Sequence, residues 1–238
     1  MDMKKSFVIS RTDHTVLKQT ASRADVEQAT LIAARFKAAS VCVPPCYVED
    51  AVRAADGQIR VCGVAGFPNG YVSTDAKIFE IAGMLEDGAE EIDVVLNIGA
   101  LKAGETEYVK TELEALRALT EGYILKVIAE TCFLTREEKL LALKLIGDCG
   151  ADFIKTSTGF GGGGATEEDV SLFKRYLPDG LKIKASGGIK TFEQAAKFLL
   201  LGCDRIGASG LLGNDFIEEE IKLSLIHISE PTRLGMIS

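Results

Sequence analysis

The chain has 238 residues, 47% hydrophobic and 26% charged, with a formal net charge of -8. That length suits one large domain, and no apolar run approaches the roughly 18 residues that a membrane helix needs. The acidic balance excludes general nucleic-acid binding, which takes clustered Lys and Arg against phosphates, yet it leaves room for one small anion held by backbone N–H groups and a local cation.

The opening stretch MDMKKSFVIS has no apolar core of the kind a signal peptide carries, so a cytoplasmic protein is expected. FVISRTDHT (7–15) is read as a first, weak strand. Seven stronger runs follow: VCVP (41–44), VCGVAGF (61–67), EIDVVLN (91–97), ILKVIAE (124–130), FIKTSTG (153–159), LKIKASGG (181–188) and DRIGASG (204–210). Several are apolar at successive positions, as parallel strands covered on both faces are. Helix-start pairs stand between them, with a hydroxyl residue and a partner three positions on: Ser22 with Asp25, Thr135 with Glu138, Thr166 with Asp169 and Thr191 with Gln194. Strand and helix alternating eight times give an α/β chain, either a doubly wound sheet or, preferred here, a (β/α)8 TIM barrel in a single domain.

At the C-terminal end, Ile217, Ile221, Leu225 and Ile228 recur at helical spacing, so an eighth helix is expected over 214–228, ahead of Pro231. SLIHISEPTR (224–233) resembles translated sequencing-adapter read-through. The barrel domain is therefore expected to span 1–229, and 230–238 to be a non-native or disordered tail.

Barrel active sites lie at the C-terminal ends of the strands. Asp13, Asp93, Lys155 and Lys184 are the polar residues that stand out there. A lysine inside an apolar strand carries a desolvation penalty of several kcal/mol, and Lys155 and Lys184 occupy matching places in successive runs. Either each is paired with an acid at the rim, or one becomes a neutral amine and attacks a carbonyl while Asp93 moves protons or holds the other. Lys126 and Lys182 also lie in or beside strands, and they show that a strand lysine alone is not diagnostic. Gly187 and Gly188 end the seventh run, and Gly207, Ala208 and Ser209 end the eighth, where barrels often bind phosphate on loop amides. GFGGGG (159–164) lacks the lysine and hydroxyl of a P-loop, and is expected to be a mobile lid or a substrate-contact loop. Six scattered cysteines and only two histidines, His14 and His227, suggest reduced thiols and no metal site.

The segments DHTVL (13–17), VCVPP (41–45), GVAGFPNG (63–70), EIDVVLNIGALKAG (91–104), KVIAETCFLT (126–135), FIKTSTGFGGGGAT (153–166), IKASGGIKT (183–191) and RIGAS (205–209) resemble, in order, those of the deoxyribose-phosphate aldolase family. The resemblance implies reversible cleavage of 2-deoxy-D-ribose 5-phosphate into acetaldehyde and D-glyceraldehyde 3-phosphate, with no cofactor and no metal. Carried over by position, it makes Lys155 the Schiff-base lysine, Lys184 its activating neighbour and Asp93 the proton-transfer acid. It likewise assigns Asp13, Cys42, Thr158 and Gly159 to substrate binding, and Gly187, Gly188, Gly207, Ala208 and Ser209 to phosphate. Gly210 departs from relatives that have a second serine there, and no C-terminal tyrosine is evident. The implied partners are a small phosphorylated sugar and aldehydes, together with copies of the chain in a dimer or tetramer, and neither nucleic acid nor membrane. Within enzymes, another Schiff-base aldolase or a sugar-phosphate isomerase is the nearest alternative; outside them, it is a silent sugar-phosphate binder.

Overall fold

The apolar runs form eight strands: β1 (Thr12–Thr15), β2 (Ser40–Val43), β3 (Arg60–Ala65), β4 (Glu91–Val95), β5 (Ile124–Ile128), β6 (Phe153–Lys155), β7 (Lys182–Ser186) and β8 (Arg205–Ala208). Each pairs in parallel with the next, and β8 returns to β1, so the computed structural model is a closed barrel. It describes residues 3–213 and the backbone of Glu220 and Ile221.

Among the described residues, seven helices of eight residues or more alternate with the strands: α1 (Arg23–Arg35), α2 (Val48–Ala55), α3 (Thr74–Glu86), α4 (Thr106–Leu119), α5 (Arg136–Asp148), α6 (Glu167–Tyr176) and α7 (Phe192–Leu200). Three of the expected caps are reciprocal boxes, at Ser22 with Asp25, Thr135 with Glu138 and Thr191 with Gln194. At α6 only half the box forms. Thr166 accepts from the Asp169 N–H at 3.1 Å, while the Asp169 carboxylate turns away to Lys139 at 2.6 Å.

Strand alternation sorts the core into two layers. Ile92, Val94, Leu125, Val127, Ile154, Ile183 and Ile206 are buried in the apolar layer between sheet and helices. Each such side chain contributes about 1.5–3 kcal/mol on burial, and this layer holds the barrel together. The alternate residues of the same strands, among them Glu91, Asp93, Lys126, Lys155, Lys184 and Arg205, are also buried but face inward. On β1 the inward residue is Asp13. His14 beside it faces the other way, buried, with no hydrogen-bond partner at Nδ1 among the described residues.

Two expectations need correction. The stretch 7–15 is not one strand: Lys5–Ile9 is a short helix that buries Val8 and Ile9, and β1 begins at Thr12, whose hydroxyl donates to Val8 O at 2.8 Å. A three-residue apolar run fits either state by periodicity alone. Of 214–228, only Glu220 and Ile221 are described, and they pair antiparallel with Met3 and Lys4 rather than continuing a helix. Apolar residues at 221, 223 and 225 alternate with Lys222 and Ser224, so the sequence carries strand periodicity there as well. The rest of that segment, and the 230–238 tail, lie outside the described residues.

Outside the barrel interior, Lys77 of α3 is fully buried. Its ammonium donates to Glu112 of α4 at 2.7 Å and to Val95 O, at the end of β4, at 2.9 Å.

Candidate active site

The register of the barrel brings the two anticipated lysines face to face: Lys155 on β6 is the direct partner of Lys184 on β7. Both donate to one oxygen of Asp93 on β4, Oδ2, at 2.8 and 2.7 Å. The other oxygen, Oδ1, accepts from Lys126 on β5 at 2.8 Å and from the Cys62 thiol at 3.2 Å. Lys184 also donates to Asp13 Oδ2, and Arg205 on β8 reaches Asp13 Oδ1 at 2.5 Å. Below this layer Glu91 joins Lys126 at 2.6 Å and Arg205 at 3.4 Å. Arg60, half-exposed at the N-terminal end of β3, touches Glu91 from outside at 3.7 Å. Three acids and four bases are thus packed in a nearly dry interior, with Lys155 alone of them reaching the cleft above.

Removing those charges from water is costly, so their mutual attraction decides their ionisation. Burial alone would push the Asp93 carboxyl up, but Lys126, Lys155 and Lys184 outweigh it and hold the group well below the ordinary carboxylate range. Asp13 is lowered likewise by Lys184, Lys126 and Arg205 against its own burial. Burial opposes the charged form of Lys184, yet Asp13 and Asp93 raise it above the ordinary lysine value, so it remains a cation. Lys126 is raised in the same way, against burial, chiefly by Asp93.

Above this cluster opens a cleft of about 240 Å³. Lys155, Thr158 and Gly159 line it together with Gly187, Gly188, Gly207, Ala208 and Ser209. Asp93, Lys184, Asp13 and Cys42 are not on the cleft wall. They are fully buried beneath it, so any contact Asp13 or Cys42 makes with a ligand lies deeper than the lining residues. Phe160 of the 159–164 loop also lines the cleft, as do Thr15, Leu17, Lys18 and Ser186, which the sequence does not single out.

The glycine run after β6 has a steric cause. A Cβ at Gly164 would fall 2.3 Å from the carbonyl oxygen of Gly187, and one at Gly163 would fall 2.9 Å from the Cβ of Cys132. The loop is therefore packed between the ends of β5 and β7, and Ala165 N–H donates to Ser186 O at 3.0 Å. Of the two roles expected for it, substrate contact is the one its position favours, since Gly159 and Phe160 are on the cleft wall.

Four functional candidates were missed or set aside. Lys126 was treated as uninformative beside Lys182, but Lys182 is exposed at the first position of its strand whereas Lys126 lies mid-strand between buried Leu125 and Val127. That central placement was the available signal. Glu91 and Arg205 give none, because they meet each other across 114 residues of sequence and Arg205 meets Asp13 across 192. Glu130 looked like a strand end.

Among the described residues, Cys42, Cys62 and Asp93 could present one ligand atom each within 4.8 Å. Both oxygens of Asp93 are already engaged by ammonium groups, so this trio is poorly disposed toward a cation.

Residues 7–213 match the family described as DeoC/LacD family aldolase. The chain belongs to this family. A deoxyribose-phosphate aldolase of Clostridium botulinum is 44% identical over 211 residues, covering 89% of this chain and 96% of that protein. One from Streptococcus agalactiae is 42% identical over 210 residues, 88% and 94% of the two chains. Among solved structures, a putative deoxyribose-phosphate aldolase from Coccidioides immitis superposes with a TM-score of 0.84 at 37% identity, over 88% of this chain and 84% of that one. The tetrameric deoxyribose phosphate aldolase of Aeropyrum pernix gives 0.80 at 30% identity, over 86% and 88%. The chain is thus an aldolase on a TIM barrel, and no described helix is long and apolar enough to cross a membrane.

Proposed function

We propose that this aldolase cleaves 2-deoxy-D-ribose 5-phosphate reversibly into acetaldehyde and D-glyceraldehyde 3-phosphate through a Schiff base on Lys155. One observation carries the choice of nucleophile. Of the three lysines around Asp93, Lys155 is on the cleft wall and has one carboxylate partner, whereas Lys126 and Lys184 each have at least two and lie beneath.

The Lys155 amine adds to C1 of the open-chain sugar, and loss of water gives an iminium ion. The C3 hydroxyl gives up its proton, the C2–C3 bond breaks, and its electron pair passes into the iminium to leave an enamine and glyceraldehyde 3-phosphate. Protonation at C2 and addition of water return acetaldehyde and the free amine. Lys184 stays charged throughout, so its role is electrostatic, and Asp93, in contact with both nitrogens, is the group that takes and returns the Lys155 proton. The phosphate sits on the amides of Gly187, Gly188, Gly207, Ala208 and Ser209, with the Lys18 ammonium at the edge of the cleft. Relatives named deoxyribose-phosphate aldolase, matched over 94–96% of their own length, support the substrate.

Borohydride added with acetaldehyde tests the nucleophile: a single reduced ethyl group on Lys155 is expected, and labelling of Lys184 or of no lysine would overturn the assignment. We place the enzyme in deoxyribose phosphate breakdown in the cytoplasm, where six unpaired cysteines stay reduced. An assembly of identical chains, dimer or tetramer, is supported by the Aeropyrum pernix relative and is checked by light scattering.

A further inference from the structure

Glu130 follows β5 in the left-handed region, at φ 48°, a conformation that costs a non-glycine residue free energy and tends to persist where surrounding contacts enforce it. Its side chain is 2% exposed and pairs with no cation among the described residues. A buried carboxylate without a counter-charge is expensive, and here it is met chiefly by hydrogen bonds from Thr158, with the Cys132 thiol 4.0 Å from Oε1. Thr158 donates its backbone N–H to both oxygens at 3.2 Å and its hydroxyl to Oε2. Gly161 closes over the carboxylate, where a Cβ would fall 3.1 Å from Cδ.

The polarity of that contact has a chemical result. A threonine hydroxyl has one proton and two lone pairs. The proton is committed to Glu130, and one lone pair accepts from Phe160 N–H at 3.0 Å. What remains for the cleft, which Thr158 lines, is a lone pair alone. We propose that Glu130 is a positioning residue that fixes Thr158 as an acceptor-only wall, and so selects acceptor aldehydes with a hydroxyl beside the carbonyl. This rests on the aldol reaction above. The oxygen at C3 alternates between hydroxyl and aldehyde carbonyl, and a lone pair would repel the carbonyl. The C4 hydroxyl, which is C2 of the aldehyde product, keeps its proton on both sides of the reaction and is the group matched to Thr158.

The test runs in the synthetic direction with acetaldehyde as donor and compares kcat/KM for D-glyceraldehyde 3-phosphate and for 3-oxopropyl phosphate, which lacks the hydroxyl. The unaltered enzyme should favour the hydroxylated acceptor about tenfold, the worth of one hydrogen bond. Thr158→Ser should keep that ratio. Thr158→Val and Glu130→Ala should each bring it to about one, and the double variant should go no lower, because Glu130 acts through Thr158. If Glu130→Ala does not fold, the 2-fluoro analogue of the aldehyde decides with the unaltered enzyme: fluorine donates no proton, so it should be used no better than the deoxy compound. Equal losses for both acceptors in Glu130→Ala, a preserved ratio in Thr158→Val, or a fluoro acceptor as good as the hydroxylated one would each overturn the proposal. Failure of the unaltered enzyme to use either acceptor would instead defeat the aldol assignment.

Discussion

Lys155 and Lys184 share one acceptor: the same oxygen of Asp93 lies 2.8 Å from one and 2.7 Å from the other. Their different surroundings make them unlike. Lys184 is shut in between Asp13 and Asp93, while Lys155 meets the cleft.

Removing Lys184 should therefore damage the site without deleting the nucleophile. Lys184→Met strips a cation from two buried carboxylates, so kcat should fall roughly a hundredfold to a thousandfold, as when a preorganised charge is lost. Stability should fall by about 3–5 kcal/mol, the cost of leaving buried charge uncompensated. Denaturant unfolding beside a coupled assay for glyceraldehyde 3-phosphate measures both, and wild-type turnover in this variant would remove Lys184 from the mechanism.

The glycine loop offers a matched pair. Gly162 has open space for a Cβ, whereas a Cβ at Gly164 would strike the Gly187 backbone that forms part of the phosphate wall. Gly162→Ala should leave KM unchanged. Gly164→Ala should raise KM for deoxyribose 5-phosphate about tenfold or more, with a much smaller change for unphosphorylated deoxyribose, because remote binding energy is what is lost. Equal effects on the two sugars would separate this loop from phosphate binding.

His14 sets a stability window. Burial lowers it from an ordinary 6.5 to about 4, so the folded chain resists taking the proton that the unfolded chain accepts. Its contribution is complete above pH 6.5 and is lost as pH falls toward 4, a swing of about 3 kcal/mol. Asp13 and Asp93, held low by their cations, contribute above the ordinary carboxylate value and lose that contribution at still lower pH. Denaturant midpoints across pH 4 to 7 should slope for the natural chain and flatten in His14→Leu. An unchanged slope would place the titration elsewhere.

Lys77 and Glu112 form a buried pair remote from the cleft. Lys77→Met should cost about 3–5 kcal/mol, and adding Glu112→Leu should recover most of it, since the penalty comes from the stranded charge. Thermal denaturation of the two variants checks this, and an unrecovered double variant would point to the Val95 carbonyl contact instead.

Strand placement was legible because parallel strands bury their outward face continuously, as at Ile92 and Val94 or Leu125 and Val127. The lysine pair was legible because equal positions in successive runs become lateral neighbours. What escaped was fixed by closure of the barrel. Arg205 meets Asp13 from 192 residues away, and no local pattern encodes that contact. Glu130 escaped because its role depends on a loop that folds over it from β6. The Phe7–Ile9 run escaped because three apolar residues do not distinguish helix from strand.

The two-layered core has an evolutionary corollary. Adhesion between sheet and helices comes from one set of side chains, and the ionic set inside the barrel opposes folding unless every member is matched. Replacing all seven, Asp13, Glu91, Asp93, Lys126, Lys155, Lys184 and Arg205, together with apolar residues of similar volume would discard the chemistry and give a sturdier, inert barrel. Selection for robustness alone would drift toward that inert form, and only continued demand for turnover keeps the charged interior in place.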